Sequence, residues 1–274
     1  MKRSQNITHY SVENKIKRWK VMTSEGNAHI PYIKTQDIKS NGSKNRSPDF
    51  ENPGRDRDYL SVNEGLYYLM LMFNPRITWI KEQYPLLPWD RAQYIAKELS
   101  LRYPTYPYTS SVPIVMTSDF YCGTIFGGEV VYSIKDVREF LDPKKKKNVE
   151  NKQKIEKVFW ESQGVNWYLI LDTQIKTPFA QNLEQIAPGI ILNSTLSFLF
   201  PRWLNTLIQF LPQFSQHKLA DVIARLAEVS EIEYEESISC FHHAVWHRHL
   251  YINLNFRIEY IMTLEELGVA IRAD

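Results

Sequence analysis

The sequence contains few cysteines and no long uninterrupted apolar run, and these shortages exclude several classes of protein. The 274-residue chain holds two cysteines, Cys122 and Cys240, which are far apart and form no Cys-x-x-Cys pair. This argues against a disulfide framework, and we expect both thiols to be reduced in a cytoplasmic protein. The most apolar stretch, residues 196–214, is interrupted by Pro201 and Arg202 and is too broken to span a bilayer, so no membrane partner is expected.

Signatures of several common chemistries are also absent. The chain has no P-loop, no GxGxxG before a helix and no GxSxG elbow, so nucleotide hydrolysis, Rossmann chemistry and serine hydrolysis have no support. Its basic N-terminus is not followed by an apolar region and does not predict a secretory signal. A hydrophobic content of 43% with 13% aromatic residues is nevertheless ample for a packed core, in one large domain or two medium ones.

Positive charge is unevenly distributed, although the net charge is only +2. Residues 1–57 hold twelve lysines and arginines against six acids, and a second basic run occupies residues 144–147. Such segments are either solvated surface or contacts for a polyanion, where Lys and Arg release counterions from phosphates. The candidates for contact with DNA are Lys44, Arg46, Arg55, Arg57, Lys144 and Lys145.

Two β-rich runs around a Gly-Gly pair predict a hairpin in the middle of the chain. Residues 112–122 carry a single acid, Asp119, and residues 129–136 carry Ser133 and Lys135. Because strand residues i and i+2 share a face, Ser133 and Lys135 point the same way and the residue between them points into the core.

This arrangement suits a metal-dependent nuclease. An acid on one strand can hold a cation, and a lysine two residues after a short polar residue on the next strand can help to position a metal-bound water. The same spacing also occurs in ordinary surface hairpins with a solvated lysine. The pattern alone leaves both readings open.

A helix is predicted over residues 61–73, with apolar residues recurring at i, i+3, i+4 and i+7. Ser61 is a good N-cap, and Glu64 three residues later completes a capping box. The alternative role for Glu64 is that of a further carboxylate at the metal site, delivered from the first turn of the helix.

The remaining pattern predicts an α/β N-terminal domain over residues 1–172 and a mainly helical domain over residues 173–274. In the first, strands are expected at residues 77–83 and 167–171 and helices at residues 12–21, 90–102 and 149–162. In the second, helices are expected at residues 178–186, 196–210, 218–229 and 234–250, followed by a strand at residues 250–255. Several helices followed by a short strand are typical of a winged-helix-like module, here for docking a partner because a basic stripe is lacking.

Four histidines and Cys240 lie close together near the C-terminus. His243 and His247 share a helix face, but neither HExxH nor a second ligand pair accompanies them. Helix packing is therefore favoured over a zinc site.

Several short blocks, taken in order and at their spacing, resemble the TnsA family, the endonuclease subunits of heteromeric cut-and-paste transposases. The blocks are Ser-Val-Asn-Glu at 61–64, Glu-Gln-Tyr-Pro-Leu-Leu-Pro at 82–88, Ser-Asp-Phe at 118–120, Tyr-Ser-Ile-Lys at 132–135, and Phe-Trp at 159–160 leading into Val-Asn-Trp-Tyr-Leu-Ile at 165–170. The resemblance covers residues 30–172 and continues weakly to the C-terminus.

The resemblance implies a restriction-endonuclease-like fold of the PD-(D/E)xK type. It implies catalysis by Glu64, Asp119 and Lys135, with Mg²⁺ (or Mn²⁺ in its place) as cofactor, and it favours Glu64 as a site residue. The family has Gln where this chain has Ser133, and a hydroxyl is a poor Mg²⁺ ligand. We therefore expect Ser133 to act through a water and the carbonyl of Ile134 to complete the metal ligands with Glu64 and Asp119.

The resemblance also implies function and partners. We expect cleavage of the 5′ strands at double-stranded transposon ends, together with an integrase-type transposase subunit that processes the 3′ strands. An ATPase regulator is expected to contact the C-terminal domain. The alternatives are a stand-alone restriction or repair nuclease and a nuclease-derived binding module that has lost its chemistry.

Overall fold

The computed structural model describes residues 7–24, 29–37, 45–50, 54–107 and 111–271. The chain forms two compact units, the first made of Met1–Gly65 with Asn74–Ile175 and the second of Leu66–Phe73 with Lys176–Asp274. The predicted division after residue 172 lies close to the second of these junctions. The sequence pattern does not reveal that residues 66–73 group with the C-terminal unit.

A four-stranded mixed sheet is the centre of the first unit and confirms the α/β prediction. Its strands are β3 (Ile77–Pro85), β4 (Thr117–Thr124), β5 (Glu129–Lys135) and β6 (Asn166–Leu171), in that spatial order. Strand β4 pairs antiparallel with both β3 and β5, whereas β6 lies parallel to β5. A separate two-stranded sheet pairs β1 (Asn45–Pro48) with β2 (Asp56–Tyr59).

Helices of the first unit connect and cover these strands. They are α1 (His9–Ser24), α2 (Val62–Phe73, of which the first turn belongs to this unit), α3 (Trp89–Glu98), α4 (Val137–Leu141), α5 (Lys146–Glu161) and α6 (Asp172–Ile175). A 3₁₀ turn covers Thr35–Asp37. Because β5 and β6 are parallel, the chain must cross over between them, and α4 and α5 make that crossover.

The predicted hairpin is confirmed by the pairing of β4 with β5. Phe120 lies opposite Tyr132 and Cys122 opposite Val130, so the register brings Asp119 beside the C-terminal end of β5. Ile134 is buried, as the alternation predicted. The core beneath the sheet is aromatic: the ring of Tyr121 stacks on that of Trp160 of α5 at 5.1 Å between centroids.

Helix α2 is buried on more of its circumference than the predicted apolar stripe requires. Leu69 on that stripe is buried, but Tyr68 and Leu71, which lie off it, are buried more deeply. Of the C-terminal half of α2, Phe73 packs edge-to-face on Phe179 and Trp246 of its own unit, at centroid distances of 5.9 and 5.4 Å. Residues 66–73 thus contribute to the core of the second unit.

The second unit is mainly helical, as predicted, although its boundaries differ. It contains α7 (Pro178–Ile186), a 3₁₀ turn (Ala187–Gly189), α8 (Ser194–Phe214), α9 (Leu219–Ser230), α10 (Tyr234–Trp246) and a short pair of strands, β7 (Leu250–Tyr251) and β8 (Ala270–Ile271). The last helix ends four residues before the predicted position, because the chain turns at Arg248, whose φ is +58°. The strand predicted for residues 250–255 is limited to Leu250–Tyr251.

Two histidines at the C-terminal end of α10 contact the turn that follows α7. The Nδ1 atom of His243 lies 2.8 Å from the carbonyl of Gly189, and the Nε2 atom of His247 lies 2.9 Å from that of Ile190. These contacts tie the helix to the turn that follows α7. Within the part of the chain that the structure describes, no helix is both long and apolar enough to cross a membrane.

We expect a fragment cut at the predicted boundary, residues 1–172, to fold poorly. It keeps Phe73 but lacks Phe179 and Trp246, so the apolar surface of residues 66–73 would face water. The fragment should melt in a broad transition below that of the full chain and bind a hydrophobic dye, measured by calorimetry and fluorescence. A sharp transition at the full-chain temperature, without dye binding, would contradict the assignment of residues 66–73 to the second unit.

Candidate functional site

Two groups of β5 meet at the carboxylate of Asp119. Its Oδ2 atom accepts a hydrogen bond of 2.6 Å from the backbone N–H of Ile134 and one of 3.0 Å from the Nζ atom of Lys135. The same Nζ donates to the carbonyl of Ile134 at 2.7 Å. The acid and the lysine that the sequence paired are therefore in direct contact.

Glu64 reaches the same place from the first turn of α2. It receives a hydrogen bond of 2.9 Å from the hydroxyl of Ser61 and one of 3.1 Å from the backbone N–H of Leu60, while its own N–H donates to Ser61 at 3.2 Å. The two roles considered for Glu64 are compatible, because the contacts that cap the helix also hold the carboxylate beside Asp119.

Gln83 of β3 lies between the two acids, and the sequence analysis assigned it no role. Its Nε2 atom is 3.2 Å from Oε2 of Glu64 and 3.2 Å from Oδ1 of Asp119. Its Oε1 atom accepts a hydrogen bond of 2.9 Å from the hydroxyl of Thr117. The backbone of Gln83 has a φ of +46°, a left-handed conformation that costs a non-glycine residue on the order of 1 kcal/mol and is common at functional sites.

Burial and neighbouring charges shift the pKa values of Glu64 and Lys135. Burial first, and then the negative charge of Asp119, raise the pKa of Glu64 to about 7. Burial by itself would lower the pKa of Lys135, but the negative charges of Asp119 and Glu156 outweigh it, so the pKa rises and the ammonium stays protonated. A cation between the acids would relieve their repulsion.

A third buried acid, Glu156 of α5, lies near Lys135, and no sequence pattern indicated it. It is 3% exposed, and burial raises its pKa to about 7 despite the nearby ammonium. No motif indicates Glu156, because a single glutamate within an amphipathic helix is common. Its charge helps to fix the protonation of Lys135.

The departure from the family pattern, Ser133, lies on β5 opposite Leu169 of β6. It is 1% exposed, as small residues on a covered strand often are. Its neighbour Ile134 presents a carbonyl that already accepts from Lys135 and has a second lone pair to offer.

The chemistry of these donors fits a hard divalent cation. The carboxylates of Glu64 and Asp119, the carbonyl of Ile134 and the side-chain amide of Gln83 all offer oxygen, which Mg²⁺ and Mn²⁺ prefer. Among the described residues, no group of three or more His, Cys, Asp or Glu side chains is placed to hold a metal. With two acids, the remaining ligands must be neutral oxygens or water.

Two of the four candidates for DNA contact in the N-terminal segment, Arg55 and Arg57, are paired with buried acids. Arg57 is 1% exposed, and it forms ion pairs of 3.1 Å with Asp49 and 2.9 Å with Glu82. Arg55 also pairs with Asp49, at 3.1 Å, and with Glu82. These two arginines neutralise buried carboxylates, and in this conformation the guanidinium of Arg57 cannot reach a phosphate.

The other candidates divide into two groups. Lys44 lies outside the described residues, and so does the side chain of Arg46, whose backbone belongs to β1. Lys144 and Lys145 are exposed at the turn before α5, where Lys145 makes only a long ion pair of 3.8 Å with Asp142. They remain the described candidates for phosphate contact.

One segment of the first unit matches a known class of nuclease domain. Residues 74–172, which include Gln83, Asp119 and Lys135 but not Glu64, match the family of TnsA-like endonuclease N-terminal domains. Over this part of the chain, the match confirms the resemblance that the sequence blocks predicted. It is similar to the transposon Tn7 transposition protein TnsA of Escherichia coli, with 26% identity over 161 residues. The aligned region is 58% of this chain and 56% of that relative.

We expect Arg57→Met to destabilise the fold rather than to affect DNA binding selectively. Removing the guanidinium leaves Asp49 and Glu82 buried without their main counter-charge, which costs on the order of 3–5 kcal/mol for a broken buried pair. Chemical denaturation measures the loss. The matched control, Lys145→Met, should leave stability unchanged and weaken DNA binding in a salt-dependent way. An Arg57→Met protein as stable as the wild type would contradict the structural role.

Proposed function

We propose that this protein is the metal-dependent DNA endonuclease subunit of a heteromeric transposase, which cleaves the 5′ strands at transposon ends. The observation that supports this most directly is the convergence of Glu64, Asp119 and Lys135 from three separate elements on one buried point. The match to TnsA-like endonuclease domains and the similarity to a transposon transposition protein support the same class of reaction.

The residues would divide the work by their chemistry. Glu64, Asp119 and the carbonyl of Ile134 would hold Mg²⁺, which when bound neutralises phosphate charge and lowers the pKa of a coordinated water. Lys135 is kept cationic by its acidic neighbours, so it can orient the attacking water or stabilise the charge that develops on the phosphate. Asp119 also positions Lys135 directly, through their 3.0 Å contact.

The finer architecture and partners belong to the same proposal. The order of α2, β3, β4, β5, α5 and β6, with a mixed sheet, is compatible with a restriction-endonuclease-like fold of the PD-(D/E)xK type. The helical second unit and its short strand pair would serve as a winged-helix-like platform for an ATPase regulator. An integrase-type transposase would act on the other strand of the same double-stranded ends.

We expect Asp119→Asn and Glu64→Gln to abolish 5′-strand cleavage while the complex still binds DNA. Both changes keep the size of the side chain but remove a charge that the cation needs. Cleavage of end-labelled transposon DNA, with the partner transposase present, should require Mg²⁺ or Mn²⁺ and fail in Ca²⁺. The exposed acid Glu98 of α3 supplies the control, since Glu98→Gln should cleave normally. Wild-type nicking by Asp119→Asn would refute the assignment.

Lys135 and Ser133 should differ sharply in their importance. Lys135→Ala should slow single-turnover cleavage by about 10² or more, in line with other preorganised electrostatic groups. Ser133→Ala should cost less than about tenfold if the hydroxyl acts only through water, and the Mg²⁺ concentration for half-maximal rate should barely change. A large rise in that concentration would show that Ser133 is a direct ligand, contrary to this expectation.

A further inference from the structure

The amide of Gln83 lies between Glu64 and Asp119, where the proposed chemistry would place a cation. We propose that Gln83 is a further member of the metal site: its N–H groups hold the two acids in place when metal is absent, and its Oε1 atom binds the cation when metal is present. The inference rests on the proposed metal-dependent function and extends it to a residue outside the three that the sequence pattern singled out.

The geometry places the amide where such a role requires it. The neighbouring pairs Glu82–Phe120 and Tyr84–Ser118 place Gln83 opposite Asp119 across β3 and β4. Residues facing each other on antiparallel strands have Cβ atoms about 5 Å apart, so a glutamine side chain easily spans the gap. One nitrogen atom, Nε2, contacts both carboxylates at 3.2 Å, and the side chain is 1% exposed.

The positive φ of Gln83 supports a functional rather than a filling role. A residue in a regular strand would alternate with its neighbours and donate its N–H to the ladder, whereas Gln83 is held at +46°. The backbone carbonyl of Gln83 accepts a hydrogen bond of 3.1 Å from the backbone N–H of Tyr32, which helps to hold this backbone conformation.

The amide can exchange its two ends and keep its contact with Thr117. In the metal-free arrangement the N–H groups face the carboxylates and Oε1 accepts from Thr117 at 2.9 Å. After a half-turn about the last side-chain bond, Oε1 would face the acids and the amide nitrogen would donate to Thr117, because a hydroxyl both donates and accepts. The turned amide would repel two carboxylates unless a cation lay between them.

The number of metal ligands available at the site also supports this role for Gln83. The two acids supply only part of the six or more oxygens that a hard cation takes, and the described residues offer no third acidic or imidazole ligand at this place. Neutral oxygens must complete the set, and Gln83 carries a side-chain oxygen that can reach both acids by rotation of a single bond.

Metal titration of the full-length protein without DNA tests the proposal. Gln83→Met keeps the length of the side chain but has neither donor nor oxygen. Isothermal titration calorimetry should show Mn²⁺ binding weakened at least tenfold, and the melting temperature in EDTA should fall because the acids lose their shared donor. Gln93→Met is the matched control, since the amide of Gln93 donates to the carbonyl of Trp89 in its own helix, at 3.3 Å. This variant should bind Mn²⁺ like the wild type.

The Gln83→Glu variant tests whether the side chain at position 83 binds the metal or only fills the space between the acids. It offers oxygen but no N–H, so it should melt lower than the wild type in EDTA and still bind Mn²⁺ at least as tightly. Gln83→Asn, which tolerates a positive φ well, keeps an amide but withdraws the oxygen by one methylene. It should also bind Mn²⁺ more weakly, and it serves if the methionine variant does not fold.

Unchanged or tighter Mn²⁺ binding by the methionine or asparagine variant would overturn the proposal, since the amide would then be a competitor or a filler. So would a glutamate variant that binds as weakly as the methionine variant. These outcomes leave the proposed function intact if wild-type cleavage depends on metal and on Asp119. A wild type that binds no Mn²⁺ would overturn both.

Discussion

Two carboxylates, Glu64 and Asp119, are held together in a buried place, and the repulsion between them is the constraint on which the rest of the first unit depends. Burial and the neighbouring charge already raise the pKa of Glu64 to about 7. The acids can stay close only because donors surround them: the ammonium of Lys135, the N–H of Ile134, the amide of Gln83 and the capping groups of α2. These donors come from β5, β3 and the start of α2, so the fold must assemble before the site exists.

The strand that carries Gln83 is itself fixed by charge. Glu82 and Gln83 are adjacent in β3 but contact different partners. Glu82 forms ion pairs with Arg55 and Arg57, which also neutralise Asp49. Gln83 contacts the two acids of the site. The arginines that the sequence suggested for DNA contact therefore pair with the residue that precedes Gln83 in β3.

The parts of the site that follow local rules could be predicted from the sequence, and the rest could not. The hairpin pattern placed Asp119 and Lys135 on neighbouring strands, and the capping pattern placed Glu64 at a helix start. No sequence pattern predicts the left-handed conformation of Gln83, because the residues around it are typical of an ordinary strand. The burial of Arg57 depends on Asp49 and Glu82, which pairing over long sequence separation brings to it. The grouping of residues 66–73 with the second unit likewise depends on partners more than 100 residues away.

The position of Gln83 also bears on the departure at Ser133. A side-chain amide on β5, as in the family pattern, and one on β3 can both offer a neutral oxygen to a cation held by the same two acids. If Gln83 binds the cation as proposed, β5 would need to supply only the carbonyl of Ile134 and the ammonium of Lys135. A small, buried residue at position 133 would then suffice, because it would leave the backbone of β5 free to approach the acids without adding a ligand of its own.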